Sequence, residues 1–320
     1  MSTRRAAGRS TLRLLRVAAS VVLLAGLLLW LDPATLATAF VTPHPGWLAL
    51  ALALGVPQVV LSAWRWRLTA GRLGVPLSLR RAVREYYLAT FLNQVLPGGM
   101  LGDATRAWRH AREAGGTAAW AAVLIERLSG QLALVLIALV GLAASPALRA
   151  LPGPLAAHAN VAGLSRPALF VLAIALVAGA LCAVRRYRPL AARILAPLRH
   201  ALLAREVFAR QLGASLLVVA SYVAVYLCCM RMIGLDTPFA HAAALIPMVL
   251  LAMAIPLSLA GWGIREGAAA LVWLAAGLDP AEGVAAAVAY GVVVLLSSLP
   301  GALIMLHIRV RPLSRNPPHT

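Results

Sequence analysis

The chain is a succession of long apolar runs separated by short polar or arginine-rich stretches. Runs long enough to predict membrane-crossing helices cover residues 14–31, 47–64, 117–144, 167–184, 211–233, 239–259 and 282–308. A helix needs about 20 apolar residues to cross the hydrocarbon core. In lipid every crossing segment must satisfy its own backbone hydrogen bonds, so runs of this length predict helices rather than open strands. Two further apolar stretches, 86–96 and 264–278, are shorter and adjoin breaks. The first runs into Pro97-Gly98-Gly99, and the second follows Pro256 and Gly261-Trp262-Gly263. The expected fold class is all-α, a polytopic integral membrane helical bundle.

Charge supplies the orientation. The 29 basic residues outnumber the 10 acidic ones, giving a net charge of +19, and every basic residue is Arg. They cluster at the N-terminus and in 65–84, 185–210 and 309–315, whereas 32–46 and 279–282 contain none. Basic residues in short loops stay on the cytoplasmic side, which predicts cytoplasmic N- and C-termini in a bacterial inner (plasma) membrane. Arg149 and Arg166 are mild exceptions. The two ledgers are satisfied by about six full spans plus two broken or re-entrant helical hairpins. One enters from the cytoplasm near 86–106 and one from outside near 246–278; eight complete spans is the alternative. The domain reading is a basic cytoplasmic N-terminus at 1–13, one transmembrane domain at 14–308 and a basic cytoplasmic tail at 309–320.

Composition narrows the function classes. With 62% hydrophobic and 12% charged residues and a mean hydropathy of +0.85, the chain leaves no window for a separate soluble catalytic unit. Soluble domains carry about a quarter charged residues. Nucleic-acid binders can be as basic, but here the arginines punctuate apolar spans, so no nucleic-acid partner is expected. The N-terminal stretch imitates a signal peptide, but Trp30-Leu31-Asp32-Pro33 is a poor cleavage site, and an uncleaved first span is expected. Segment 185–210 alternates Arg with apolar residues, as in an amphipathic helix on the cytoplasmic leaflet. Interruption by Pro189 and Pro197 equally suits a solvated basic loop. Cys182, Cys228 and Cys229 read as small hydrophobes. The histidines lack metal-ligand spacing, and no phosphate loop, dinucleotide fingerprint or nucleophile elbow is present. No metal and no cofactor is expected.

Ionisable residues within membrane segments are costly and tend to line a pathway or pair with one another. Three clusters meet that description. The first runs from Asn93 through Pro97, Gly98, Gly99, Gly102 and Asp103 to Arg106. A helix starting after the break, beside an Arg, can hold an anion; a capped turn with solvated Arg106, Arg109 and Arg112 is the alternative. The second is Glu126-Arg127 inside an apolar run. Adjacent residues point to different helix faces, so each needs a partner from another element, whether as a structural ion pair, a headgroup site or an ion relay. The third spans Pro256, Gly261, Gly263, Arg265 and Glu266. Breaks of this kind mark sites near the bilayer midplane; a surface loop with both charges in water is the alternative. Trp262 can serve as an interfacial anchor in either case.

Taken in order, these motifs resemble the lysylphosphatidylglycerol synthase transmembrane-region family, a flippase-like membrane domain, over about 14–308. The carriers are Asn93, Leu96-Pro97, Gly102-Asp103 and Arg106, then Glu126-Arg127, then Pro256 through Glu266. In fused members a soluble synthetase domain that aminoacylates phosphatidylglycerol follows, and the membrane part is thought to move the product between leaflets. No such domain follows within these 320 residues, so the resemblance implies lipid translocation without aminoacyl transfer. Some relatives accompany glycosyltransferases, which makes a polyprenyl-phosphate-linked glycan an equal cargo. A separately encoded synthetase or glycosyltransferase is the implied protein partner, and a membrane lipid the substrate. On this reading Arg106 and Arg265 contact the lipid phosphate. Glu126 and Glu266 hold those arginines or a cationic headgroup, Asp103 orients the cytoplasmic hairpin, and Asn93 and Arg127 complete the substrate-binding set. Alternatives are a headgroup-modifying enzyme with Glu126 or Glu266 as general base, or a non-transporting partner protein.

Overall fold

A computed structural model describes residues 40, 43–96, 100–114, 116–144, 205–253 and 262–310. Among them are eight helices and no strand: α1 Pro45–Arg72, α2 Leu79–Val95, α3 Leu101–Ala114, α4 Ala118–Ala144, α5 Arg205–Met232, α6 Phe239–Ala252, α7 Ile264–Ala275 and α8 Pro280–Val310. The expected spans 14–31 and 167–184, most of 185–210, the basic termini and the break residues Pro97, Gly98, Gly99, Pro256 and Gly261 lie outside the described residues. Four helices are long and apolar enough to cross a membrane, within α1, α4, α5 and α8.

Several boundaries differ from expectation, among them the starts of α2 at Leu79 rather than Tyr86 and of α5 at Arg205 rather than Gln211. The apolar run 239–259 does not continue as one span: α6 ends at Ala252 after 14 residues. At 1.5 Å per residue it covers about 21 Å, short of the roughly 30 Å hydrocarbon core. The 17, 14 and 12 residues of α2, α3 and α7 are likewise short. In the other direction, α1 continues past Trp64 to Arg72 and carries Arg65 into the interior at 2% exposure. The basic segment expected on the surface from residue 65 therefore begins inside the protein. Polar partners on α4 make that burial tolerable.

The helices form two equivalent sets. Each set is a long helix, two short helices around a break, and a second long helix: α1 to α4, then α5 to α8. The junctions share a set of backbone hydrogen bonds. Leu73, Gly74 and Val75 donate to the carbonyls of Thr69, Gly71 and Ala70; Ile233, Gly234 and Leu235 donate to those of Cys229, Arg231 and Met230, at one constant displacement along the chain. Gly74 and Gly234 take φ of 73° and 78°, the left-handed cap that ends a helix. Packing repeats as well: α2 lies against α8 as α6 lies against α4, and α1 against α4 as α5 against α8. The partners α1 and α5 run antiparallel, since His44 N–H at the start of α1 donates to Met232 O at the end of α5 (2.8 Å). The two sets are thus related by a pseudo-two-fold axis perpendicular to the long helices.

Surface and interior are exchanged relative to a water-soluble protein. Along α4, Leu124, Leu128, Leu132, Leu136 and Val140 form an exposed stripe at helical spacing, while Arg65, Arg106, Arg265, Glu85 and Glu126 are buried. Hydrocarbon, not water, is the solvent such a stripe suits. Small residues let the helices approach closely. A Cβ on Gly102 would collide with the Ala89 carbonyl of α2 and crowd the Asn93 side chain. Gly102→Ala is expected to lower stability by about 1–3 kcal/mol, read as a drop in thermal unfolding temperature in detergent. An unchanged temperature would mean that α2 and α3 do not pack this way.

Candidate functional site

The break between α2 and α3 is held by a side chain rather than by continuous helix. Asn93 Oδ1 accepts from the Gly102 N–H (2.8 Å), and Asn93 Nδ2 donates to Asp103 Oδ2 (2.7 Å). Asp103, in the first turn of α3, then accepts from Arg106 Nε at 2.9 Å and from Arg127 on α4. On the neighbouring face of α4, Glu126 Oε2 accepts from Arg106 Nη2 (2.7 Å) and Oε1 accepts from the Tyr86 hydroxyl (3.3 Å). Glu126 Oε1 also lies 3.6 Å from Arg65 Nη1. Arg65 in turn donates to Glu126 O (2.9 Å) and Ser129 Oγ (2.7 Å), and Gln211 of α5 donates to the same hydroxyl (3.3 Å). Adjacent residues of one helix thus tie α4 to α1, α2 and α3. Arg106 lies between aromatic rings, its guanidinium carbon 4.8 Å from the Trp66 centroid and 4.4 Å from that of Tyr86. The alternative of a turn with Arg106 in water is thereby overturned.

Among the described residues this cluster joins three arginines (65, 106 and 127) to two carboxylates (103 and 126). One positive charge is left over. The side chains of Arg65 and Arg106 are 2% and 0% exposed, whereas that of Arg127 is 35% exposed. Arg127 lines a cavity of about 230 Å³ together with Asn93, Gln94, Gln131, Tyr222 and Tyr290. Leu250 and Met253 line it as well, so it lies between the break ends of α2 and α6. A recess of about 60 Å³ is lined by Arg127, Tyr222, Gln131, Arg65 and Glu126.

The second cluster stands at the start of α7. Gly263 takes φ 87° and is followed by Arg265 and Glu266, both fully buried. Glu266 Oε2 accepts from the Gly263 N–H (2.6 Å), and Oε1 accepts from Arg265 Nε (3.0 Å). The guanidinium carbon lies 4.7 Å from the Trp262 centroid and 5.9 Å from that of Tyr290. Gly291 leaves room for it, since a Cβ there would strike the guanidinium. These contacts overturn the surface-loop alternative for Arg265 and Glu266, and give Trp262 a cation as its neighbour.

Of the residues expected from sequence, Asn93 and Arg127 therefore reach the cavity wall. Asp103, Arg106 and Glu126 form the layer behind it, and Arg265 with Glu266 forms a separate cluster across Tyr290. Gly102 lies in the first turn of α3 as a close-packing residue, and Gly263 sits at the break itself. Arg65, Tyr86, Gln131, Tyr222 and Tyr290 belong to the site but were not foreseen. Their signal was a polar group inside an apolar helix, which buried Tyr and Gln share with many ordinary core positions. Cys228 and Cys229 are free and buried.

No curated protein matches the chain in sequence. Residues 17–301 match the family described as "Lysylphosphatidylglycerol synthase TM region". With that match covering most of the chain, and with an all-helical framework that turns apolar faces outward, this multi-pass membrane protein belongs to the lysylphosphatidylglycerol synthase TM region family.

Proposed function

We propose that the protein moves an anionic lipid between leaflets, with the lipid phosphate held at Arg127 as it passes through the cavity. The observation carrying this reading is the surplus positive charge of the buried cluster, exposed at the cavity wall through Arg127. Arg is well suited to phosphate, since its planar fork donates two hydrogen bonds at once. A charged group at the bilayer centre costs at least about 2.5–3.5 kcal/mol. A cavity that offers Arg127, Asn93, Gln94, Gln131 and Tyr222 lowers that cost by supplying fixed polar partners.

The short helices support a route of this kind. The arms of the pairs α2 with α3 and α6 with α7, 17, 14, 14 and 12 residues long, are short for a crossing, which supports a re-entrant hairpin for each, the first from the cytoplasm and the second from outside. Opposed equivalent halves with a site between their breaks suit alternating access. The arginine distribution supports cytoplasmic termini in a bacterial inner membrane. Phospholipids, aminoacylated or not, and polyprenyl-phosphate-linked glycans share the phosphate that this site would recognise. A separately encoded synthetase or glycosyltransferase would supply the cargo. A transport role rather than enzyme chemistry is favoured because both candidate bases, Glu126 and Glu266, are already engaged. Glu126 accepts from Arg106 and Tyr86, and Glu266 from Arg265 and Gly263, which leaves neither placed as a free general base.

The test is movement of labelled phosphatidylglycerol, and separately of a labelled polyprenyl-phosphate glycan, in proteoliposomes. Arg127→Gln is expected to slow the true cargo by about tenfold or more, the loss of one charged hydrogen-bonding partner. The fold should survive, because Asp103 keeps Arg106 and Asn93. Wild-type rates for both lipids would refute the reading.

A further inference from the structure

We infer that Arg265 is a second phosphate-binding station, shut off from the cavity by Tyr290, and that the headgroup passes between Arg127 and Arg265 when Tyr290 moves. This rests on the lipid-transport reading above and concerns the route within it.

The starting observation is an incomplete hydrogen-bond inventory in a fully buried place. Arg265 Nη1 has no partner although the residue is 0% exposed, and the Tyr226 hydroxyl is equally unpartnered and buried. Buried donors are ordinarily satisfied, so each of these two groups remains open to an acceptor. Glu266 does not fill the need, because its two oxygens are committed to Arg265 Nε and Nη2 and to the Gly263 N–H. Tyr226 and Arg265 meet at one ring: the Tyr290 centroid lies 5.0 Å from that of Tyr226 and 5.9 Å from the Arg265 guanidinium carbon. Tyr290 also lines the cavity that exposes Arg127. Tyr290 therefore borders both the cavity that Arg127 lines and the Arg265 guanidinium.

Each half carries a buried carboxylate and arginine just after its break, Asp103 with Arg106 in the first and Glu266 with Arg265 in the second. Glu266 beside Arg265 would make this station the weaker of the two, which suits a place of transit. The ligand chemistry is a lipid phosphate monoanion, whose oxygens would accept from Arg265 Nη1 and the Tyr226 hydroxyl.

The experiment uses methylglyoxal, a small arginine-selective dicarbonyl, on the full-length protein in liposomes, with peptide mass mapping of each arginine. Dihexanoyl phosphatidylglycerol is the protecting probe, and dihexanoylglycerol the phosphate-free control. In wild type we expect prompt modification of Arg127 and slow modification of Arg265, both suppressed by the phospholipid and not by the control. A door that opens roughly 0.1–10% of the time limits access accordingly, so Tyr290→Leu should speed modification of Arg265 by about tenfold or more. Arg265 left unmodified in both proteins, or modified without phospholipid protection, would overturn the second station. If Tyr290→Leu does not fold, the wild-type time course decides alone: slow, phospholipid-protected modification sustains the proposal, and none overturns it. Failure of the phospholipid to protect Arg127 would instead count against the cavity reading, so the two failures are separable.

Discussion

Replacing Glu126 by alanine is expected to destabilise the protein by about 3–5 kcal/mol, the range for removing one partner of a buried ion pair. Glu126 meets Arg106 at 2.7 Å and Arg65 at 3.6 Å and accepts the Tyr86 hydroxyl. Without it, Asp103 alone would face three arginines in a region that water hardly reaches. The measurement is thermal unfolding in detergent followed by tryptophan fluorescence, and a wild-type transition would contradict the cluster as described. Glu126→Gln should lose less, because the amide oxygen still accepts one of these hydrogen bonds. Because Glu126 is buried, a loss of transport in this variant would follow from loss of the fold.

Arg265→Ala should have a comparable effect, also about 3–5 kcal/mol, by stranding Glu266 at 0% exposure. A double replacement separates charge from packing. Arg265→Met with Glu266→Gln removes both charges, keeps most of the volume, and leaves an amide oxygen to accept the Gly263 N–H. Exchanging a buried ion pair for neutral groups of similar shape is often close to neutral, so the double variant should unfold nearer to wild type than Arg265→Ala does. Such non-additivity is the signature of direct contact. A double variant less stable than the single would show that packing against Trp262 and Gly291, rather than charge pairing, holds the residue in place.

The apolar pattern made α1, α4, α5 and α8 legible because a crossing helix needs only a long run of suitable residues. The break at Gly263 was legible because a positive φ calls for glycine. The end of α6 was not: composition stays apolar from Phe239 through Leu259, and no polar residue marks Ala252 as its last. Arg65 was misplaced for a related reason. Next to Arg67 and Arg72 it looked like the edge of a cytoplasmic loop, and only the approach of Glu126 and Ser129 explains how an arginine sits there. The repeat stayed hidden because its two copies share shape rather than chemistry. Gly74 and Gly234 correspond, but at the same displacement Arg65 corresponds to Val225 and Trp66 to Tyr226.

That relation between the halves has a consequence for biogenesis. A body whose two copies point opposite ways presents nearly the same helix scaffold to the translocon whichever end goes in first, so the scaffold by itself does not specify up from down. The choice falls to the arginine bias at the span ends.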